Sequence, residues 1–361
     1  MLIILLCMIG VLMLVGTKVR PVGFFDDYIS ADKSQYIKGV FILMVFLSHS
    51  LTYIDRADLP AIDSYYLQFR FYMGQMIVAP FLFMSGYGVA SSIRAKGKQY
   101  IQTMPHRRIL MVLFQFNVAL IFYWFVGTQL KGNVYDWKWI LASIVGWNGF
   151  GNSTWYIFCI LFLYLATWVS GYLFGDRLSS IVAGVTLFSV IFALVLHRVG
   201  REAYTYNTCL TYAAGMWYLI YQDKLEQWLW KSNLRYLAAL LVTAGGYVLL
   251  HPYQENEWIH QLNSILFALA LTLLTMKIQL GSKILHYCGR HLFSLYILQR
   301  LFMIVFDMTW VIEYLWMYMA LSFITTFAIS AIFDAVVPKL YRTLEQAGLA
   351  VWHSFVKERA N

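Results

Sequence analysis

Residues 36–50 read YIKGVFILMVFLSHS, an apolar run with a lysine near its start and a histidine near its end. Apart from Gly39 and Ser48, every residue between Lys38 and His49 is apolar, as in a helix that enters lipid. Eleven positions make about three helical turns, so the two side chains share one face at about 16 Å separation. The run therefore predicts a membrane helix that carries a histidine near the middle of the bilayer.

The composition of the whole chain agrees with this interpretation. Of its 361 residues, 60% are apolar and 12% are charged, which is about half the charged share of a soluble domain. A net charge of +9 can indicate a protein that binds nucleic acid, but the distribution of the basic residues along the chain explains this charge better. We therefore expect an all-α, polytopic membrane protein with no nucleic-acid partner, and we find no metal-ligand spacing.

Apolar runs of membrane-spanning length predict about 11 helices. These lie at 2–16, 38–54, 70–92, 109–128, 155–174, 179–197, 207–222, 234–251, 259–277, 288–307 and 313–338. The segment 137–150 is too short to span and is expected to lie at the interface or to re-enter. Loops after odd-numbered spans hold most of the 27 Lys and Arg residues. The positive-inside rule then predicts an outside amino terminus and a cytoplasmic carboxyl terminus.

His49 is the most informative ionisable residue in this topology. An ionisable side chain at that depth is costly and is a candidate for function. A desolvated imidazole stays neutral, which suits it to take a proton from a hydroxyl. The alternative is a neutral histidine that only bonds a neighbouring helix, and the residues alone leave both open.

Several segments in order resemble one family. KGVFILMVFLSH (38–49), APFLFMSGYGV (79–89), STWYIFCILFLY (153–164), TYAAGMWY (211–218) and HYCGRHLFSLYILQR (286–300) are similar to the conserved helices of the acyltransferase-3 family of integral membrane acyltransferases. The sequence departs from the family pattern in three ways. Gln35 replaces an acidic residue, Arg107 and Arg108 are adjacent rather than spaced, and Gln299 replaces a late histidine.

The resemblance implies a domain organisation and an activity. Residues 30–338 would form the acyltransferase domain, 1–29 an extra transmembrane helix with a cytoplasmic linker, and 339–361 a cytoplasmic tail. Family members move an acyl group, usually acetyl from acetyl-CoA, to a hydroxyl. The acceptor is often a sugar of a cell-surface polysaccharide or glycolipid, free or lipid-linked. No tightly bound cofactor is implied, since acetyl-CoA acts as a co-substrate.

The same resemblance assigns roles to residues. His49 would be catalytic and Lys38 would lie on the donor side. A basic segment, 93–108, suits the phosphates of CoA because arginine binds phosphate well. The same charges fit ordinary positive-inside orientation or contact with anionic lipid heads. The donor residues predicted in this segment are Arg94, Lys96, Arg107 and Arg108.

Two further sets of residues are predicted to line the site. The first lies within spans, and for Arg300 an ion pair with Asp307 is the alternative. It comprises Ser85, Gly86, Tyr87, Trp155, Tyr296, Gln299 and Arg300. The second lies in the outer loop 129–154, whose aromatic and amide groups suit a sugar acceptor but equally an interfacial aromatic belt. It comprises Trp147, Asn148 and Asn152.

Two other functions compete with acyl transfer. A transporter or flippase of lipid-linked sugars would also have many spans and buried polar groups. A membrane scaffold without chemistry would tolerate apolar replacements of its buried histidine and arginine. We expect a multi-pass protein of the inner (plasma) membrane of a bacterium, with the acyl-CoA donor, a carbohydrate acceptor and the lipid bilayer as partners.

Overall fold

The computed structural model describes the backbone of residues 1–360 and the side chains of residues 1–347. Lys357 and Arg359, which contribute to the predicted positive tail, therefore lie outside the described side chains. Two short strands pair antiparallel, β1 (Lys18–Val19) with β2 (Ile278–Gln279). The α-helices in chain order are α1 (Leu2–Leu14), α2 (Ala31–Ser50), α3 (Ser64–Met73), α4 (Ala79–Lys96), α5 (Lys98–Met104), α6 (Met111–Phe125), α7 (Trp137–Ile144), α8 (Trp155–Phe174), α9 (Leu178–Arg198), α10 (Leu210–Leu229), α11 (Asn233–Leu250), α12 (Glu257–Thr275), α13 (Lys283–Arg290), α14 (Leu292–Asp307) and α15 (Leu315–Ala360).

Every predicted span contains a helix. Within the described residues, seven helices are long and apolar enough to cross a membrane, which makes the chain a multi-pass membrane protein. They are Ala61–Lys96, Lys98–Leu130, Trp155–Phe174, Leu178–Arg198, Asn233–Tyr253, Glu257–Thr275 and Leu315–Ala347. The predicted spans at α1, α2, α10 and α14 fall outside this set because they are shorter or more polar. Helix α7 has 8 residues, as expected of a segment too short to span.

The chain divides into two compact units. The first comprises Met1–Pro105 and Trp155–Leu292, and the second comprises His106–Thr154 with the chain from Phe293 onward. The boundary within the helical stretch Lys98–Leu130 falls where it contains a π-helical turn, Pro105–Leu110.

Helix α2 of the first unit begins at a side-chain cap. Ser30 Oγ accepts from the backbone N–H of Lys33 at 3.2 Å, and Asp32 lies in the first turn, where a negative charge favours the helix dipole. The helix then continues unbroken to Ser50, and most of its residues from Gly39 onward are buried. The predicted membrane helix with Lys38 and His49 on one face is therefore a single regular helix.

Glycines bring two pairs of helices of the first unit into backbone contact. On α2 and α13, a Cβ on Gly39 would lie 1.9 Å from the carbonyl oxygen of Leu285, and one on Gly289 would lie 1.8 Å from that of Gln35. On α4 and α10, Gly86 and Gly215 make the equivalent contacts at 2.0 Å each, with the carbonyl oxygens of Tyr212 and Phe83. Only glycine permits such close crossing.

The linker between α1 and α2 is packed rather than loose. Phe24, Phe25 and Tyr28 are buried in a cluster with residues of α10, α11 and α12. Lys277, next to β2, lies 4.0 Å from the centre of the Phe24 ring and donates to Asn233 Oδ1 at 2.9 Å. Burial lowers the pKa of Lys277. The start of α2 is thereby held by contacts made far away in sequence.

The second unit contains α6, α7, α14 and α15. Asn117 of α6 donates to the carbonyl oxygen of Ile144 at 3.0 Å, which ties the short α7 to α6. Ser294 of α14 donates to Asp334 of α15 at 2.8 Å. Helix α15 runs through Pro338, so the predicted tail at 339–361 starts inside a helix rather than after one.

Candidate functional site

Lys38 is the eighth of the 20 residues of α2, and His49 is the nineteenth. Lys38 is half-buried, and its Nζ donates to Ser34 Oγ one turn earlier at 3.2 Å. His49 is half-buried in the last turn of the helix. Because α2 has no kink or break between them, the separation of about 16 Å expected of an α-helix applies. The arrangement places a cation near the middle of a mostly buried helix and an imidazole in its last turn.

The Ser85-Gly86-Tyr87 motif has three different environments. Gly86 makes the close crossing with α10, so its role is packing. Ser85 Oγ and the hydroxyl of Tyr164 share a hydrogen bond at 3.0 Å, rather than the backbone carbonyl contact usual for a serine in a helix. Tyr87 donates to Gln222 Oε1 at 2.8 Å. A phenol such as that of Tyr164 is not the base that activates a nucleophilic serine.

A hydrogen-bonded chain continues from Tyr87. Gln222 Nε2 donates to Glu226 at 2.7 Å, and Tyr28 also donates to Glu226 at 2.9 Å. Tyr28 and Tyr218 share a further bond at 2.6 Å. These hydrogen bonds join α4, α10 and the linker before α2. The carboxylate of Glu226 accepts two of them.

The predicted donor residues do not form one loop. Segment 93–108 is largely helical: Arg94 and Lys96 end α4, and Gly97 at φ 53° makes the turn into α5. Arg94 approaches Asp223 at 4.0 Å, and Lys96 is exposed. Arg107 and Arg108 are exposed in the π-helical turn at the start of the second unit.

The α14 residues lie in the interior of the second unit. Tyr296 is buried, and its hydroxyl shares a bond with Ser153 Oγ at 3.0 Å. Gln299 is 1% exposed and donates to the carbonyl oxygen of Tyr296 at 3.4 Å. Arg300 is half-buried on the same helix. Asp307 interacts electrostatically with Lys131, and both interpretations of Arg300 stay predictions.

The predicted acceptor residues are only partly available for a sugar. Asn152 Oδ1 accepts from the backbone N–H of Phe150 at 3.0 Å, which stabilises a local turn. Trp147 and Asn148 are half-buried. Trp155, in the first unit, packs edge-to-face on Tyr204 with ring centres 6.3 Å apart.

Two polar side chains are not among the predicted site residues. Arg70, at the start of the predicted span 70–92, donates through its Nε to Ser48 Oγ, one residue before His49, at 3.1 Å. His260 is buried in α12 and bonds the carbonyl oxygen of Asn207 at 3.2 Å. Its position within a predicted span was the signal that could have found it. Among the described residues, no three His, Cys, Asp or Glu side chains could hold a metal ion.

These features define a class: a multi-pass helical membrane protein with an imidazole and a cation on one buried helix. The acyltransferase domain of the acyltransferase-3 family matches residues 32–335, so the chain belongs to that family and is a membrane acyltransferase. No curated protein and no solved structure gives a significant match.

Proposed function

We propose that this enzyme moves acetyl, or another short acyl group, from acyl-CoA to a hydroxyl of a cell-surface polysaccharide or glycolipid, with His49 as the catalytic base. The observation that carries the proposal is the unbroken helix α2, which holds Lys38 and His49 on one face. The close crossing at Gly39 fixes this helix against α13, so the two side chains have a defined separation.

Each step of the transfer can be assigned to a group. Neutral His49 takes the proton of the acceptor hydroxyl as its oxygen attacks the thioester carbonyl. The new C–O ester bond forms, the C–S bond breaks, and the thiolate of CoA leaves. The imidazolium of His49 returns the proton to that sulfur, so the enzyme ends as it began. In the alternative route, His49 attacks the thioester carbonyl, the C–S bond breaks and a covalent acyl-His49 intermediate forms. The acceptor hydroxyl then attacks this intermediate and receives the acyl group.

The donor is proposed to enter from the amino-terminal half of α2, which carries Lys38. Lys38 is held by Ser34, and Arg94 and Lys96 end α4 of the same unit. Arg107 and Arg108 stay predicted phosphate contacts. Their charge supports acyl-CoA as donor, and we propose that this face is cytoplasmic, where CoA is found.

The acceptor is proposed to approach from the other end of α2, where His49 lies. Trp147, Asn148 and Asn152 stay the predicted acceptor contacts, and the Oδ1 of Asn152 already accepts from Phe150. Ser85, Tyr87 and Trp155 of the first unit are proposed to line the reaction space, and Tyr296, Gln299 and Arg300 stay predicted lining residues. We propose the inner membrane of a bacterium as the location, with the amino terminus outside.

The test is acetyl transfer in membrane vesicles supplied with labelled acetyl-CoA. We expect His49→Ala to lose about 100-fold or more of the transfer rate, because a general base contributes on that order. His197→Ala is the matched control, since His197 is 62% exposed. Retained transfer in His49→Ala would show that the catalytic assignment is wrong. A flippase would give neither acetyl transfer nor hydrolysis of acetyl-CoA.

A further inference from the structure

A shallow groove runs beside the part of α2 that carries His49. Leu6 of α1, Met44 of α2 and the α3 residues Phe69 and Met73 form apolar walls. Among the described residues that line the groove, Arg70 is the only charged one. A groove with apolar walls and one cation suits an amphiphile with an anionic head.

The guanidinium group of Arg70 can bind such an anionic head group. Its Nε is used by Ser48 Oγ, while the rest of the guanidinium fork has further donors that suit phosphate. Within residues 1–347, no carboxylate lies within ion-pair distance of Arg70. The acidic residue at the start of the same stretch, Asp63, is occupied, because it accepts from the backbone N–H of Ile3 at 3.0 Å and from the nitrogen of Met1 at 2.9 Å.

The surroundings of Arg70 indicate its depth. Helix α3 exposes Tyr65 at 64%, Phe71 at 72% and Tyr72 at 57%. Exposed aromatic rings of this kind are typical of the membrane interface, where lipid phosphates lie. The apolar walls of the groove would then continue toward the hydrocarbon layer.

We propose that this groove binds a membrane lipid through its phosphate, with Arg70 on the phosphate and the lipid chain along Leu6, Met44 and Met73. Leu6 of α1, which precedes the matched domain at 32–335, forms part of the lining.

The test uses the full chain in phosphatidylcholine vesicles that contain phosphatidic acid with a diazirine in its chain. After illumination, labelled peptides are mapped by mass spectrometry. We expect labelling of the peptides around Leu6 and Met73, and much weaker labelling by the diacylglycerol analogue, which lacks the phosphate. Arg70→Gln should lower phosphatidic acid labelling about tenfold, the loss of one charged contact. Arg56→Gln, an exposed arginine before α3, is the matched control.

A second pair of variants separates groove occupancy from charge and from misfolding. Leu6→Trp fills the apolar part of the groove and should also lower labelling, with Arg70 intact. Leu14→Trp is the control on the same helix, because Leu14 is 76% exposed. The melting temperature of each purified variant checks that it is folded.

Three outcomes would overturn the inference: equal labelling by the diacylglycerol analogue, undiminished labelling of Arg70→Gln, or complete displacement by inorganic phosphate. The last would identify a site for free phosphate. His49→Ala separates this inference from the proposed function, since it should keep lipid labelling while losing acetyl transfer. If the wild-type protein is not labelled but His49→Ala still loses acetyl transfer, only the groove is rejected. If the groove is labelled as expected but His49→Ala keeps acetyl transfer, only the catalytic role of His49 is rejected.

Discussion

The carbonyl oxygen of Leu285 on α13 occupies the place where a Cβ of Gly39 on α2 would be, 1.9 Å away. Gly39 follows Lys38 directly, so this contact sets the position of the proposed donor-side lysine. Gly289 repeats the contact from α13, against the carbonyl oxygen of Gln35 at 1.8 Å. Because backbone atoms form both sides, neither helix can give way to a side chain by a rotamer change.

Gly39→Ala should therefore destabilise the protein strongly. Overpacking of this kind costs about 1–3 kcal/mol or more, since α2 and α13 must separate. Thermal unfolding of the purified protein in detergent measures the change. Gly88→Ala is the matched control, because a Cβ there meets nothing within 4 Å. Equal melting temperatures for the two variants would contradict the close crossing.

Ser85 tests whether the serine motif acts in chemistry or in packing. Ser85→Ala removes one hydrogen bond to Tyr164, so we expect the transfer rate to fall by about tenfold at most. The loss of a nucleophile would cost several orders of magnitude. Acetyl transfer in vesicles measures this, with Ser92→Ala as control because Ser92 only bonds its own helix at Gly88. A loss as large as that of His49→Ala would make Ser85 a catalytic residue.

The exposed arginines test the donor site. Arg107→Gln should raise the KM for acetyl-CoA by roughly five- to tenfold with kcat nearly unchanged, since a phosphate contact contributes to binding rather than to the reaction. Arg94→Gln should have a smaller effect, because Arg94 already faces Asp223 at 4.0 Å. Steady-state kinetics at fixed ionic strength measure the KM and kcat of each variant. An unchanged KM in Arg107→Gln would show that Arg107 does not bind acetyl-CoA. Its charge would then contribute only to the orientation of the protein in the membrane.

Tyr28 links stability to pH. Burial, Tyr218 and Glu226 raise the pKa of Tyr28 above the usual value of about 10. Its contribution to stability is complete below pH 10 and declines as the pH rises toward the folded-state pKa, because ionisation then favours the unfolded chain. Tyr28→Phe should lose about 1 kcal/mol of unfolding free energy at neutral pH. The difference from wild type should shrink above pH 10.

The control for that prediction is Tyr221→Phe, since Tyr221 is 48% exposed. Chemical denaturation at several pH values measures both variants. A constant difference between Tyr28→Phe and wild type across pH 8–11 would contradict the role of burial at Tyr28.

Local sequence was a good guide to the helices and a partial guide to the site. Each predicted span contains a helix, and seven of these helices in the described part of the chain are long and apolar enough to cross a membrane. The Lys38–His49 spacing identified one face of α2, because helical periodicity depends only on neighbouring residues. The family motifs led to the class of enzyme, which the domain match over 32–335 confirms. The basic segment was expected to be a loop. It is largely helical, because only Gly97 interrupts the helix formers between α4 and α5.

What the sequence by itself determined is a multi-pass helical membrane acyltransferase with a histidine in a buried helix. Only the tertiary structure decided that Gly39 crosses Leu285, that Glu226 gathers Tyr28 and Gln222, and that Arg70 reaches Ser48. The physical reason is the distance along the sequence over which each property is determined. Membrane insertion and helix formation depend on neighbouring residues. These contacts depend on which distant helices pack together and how closely their backbones approach.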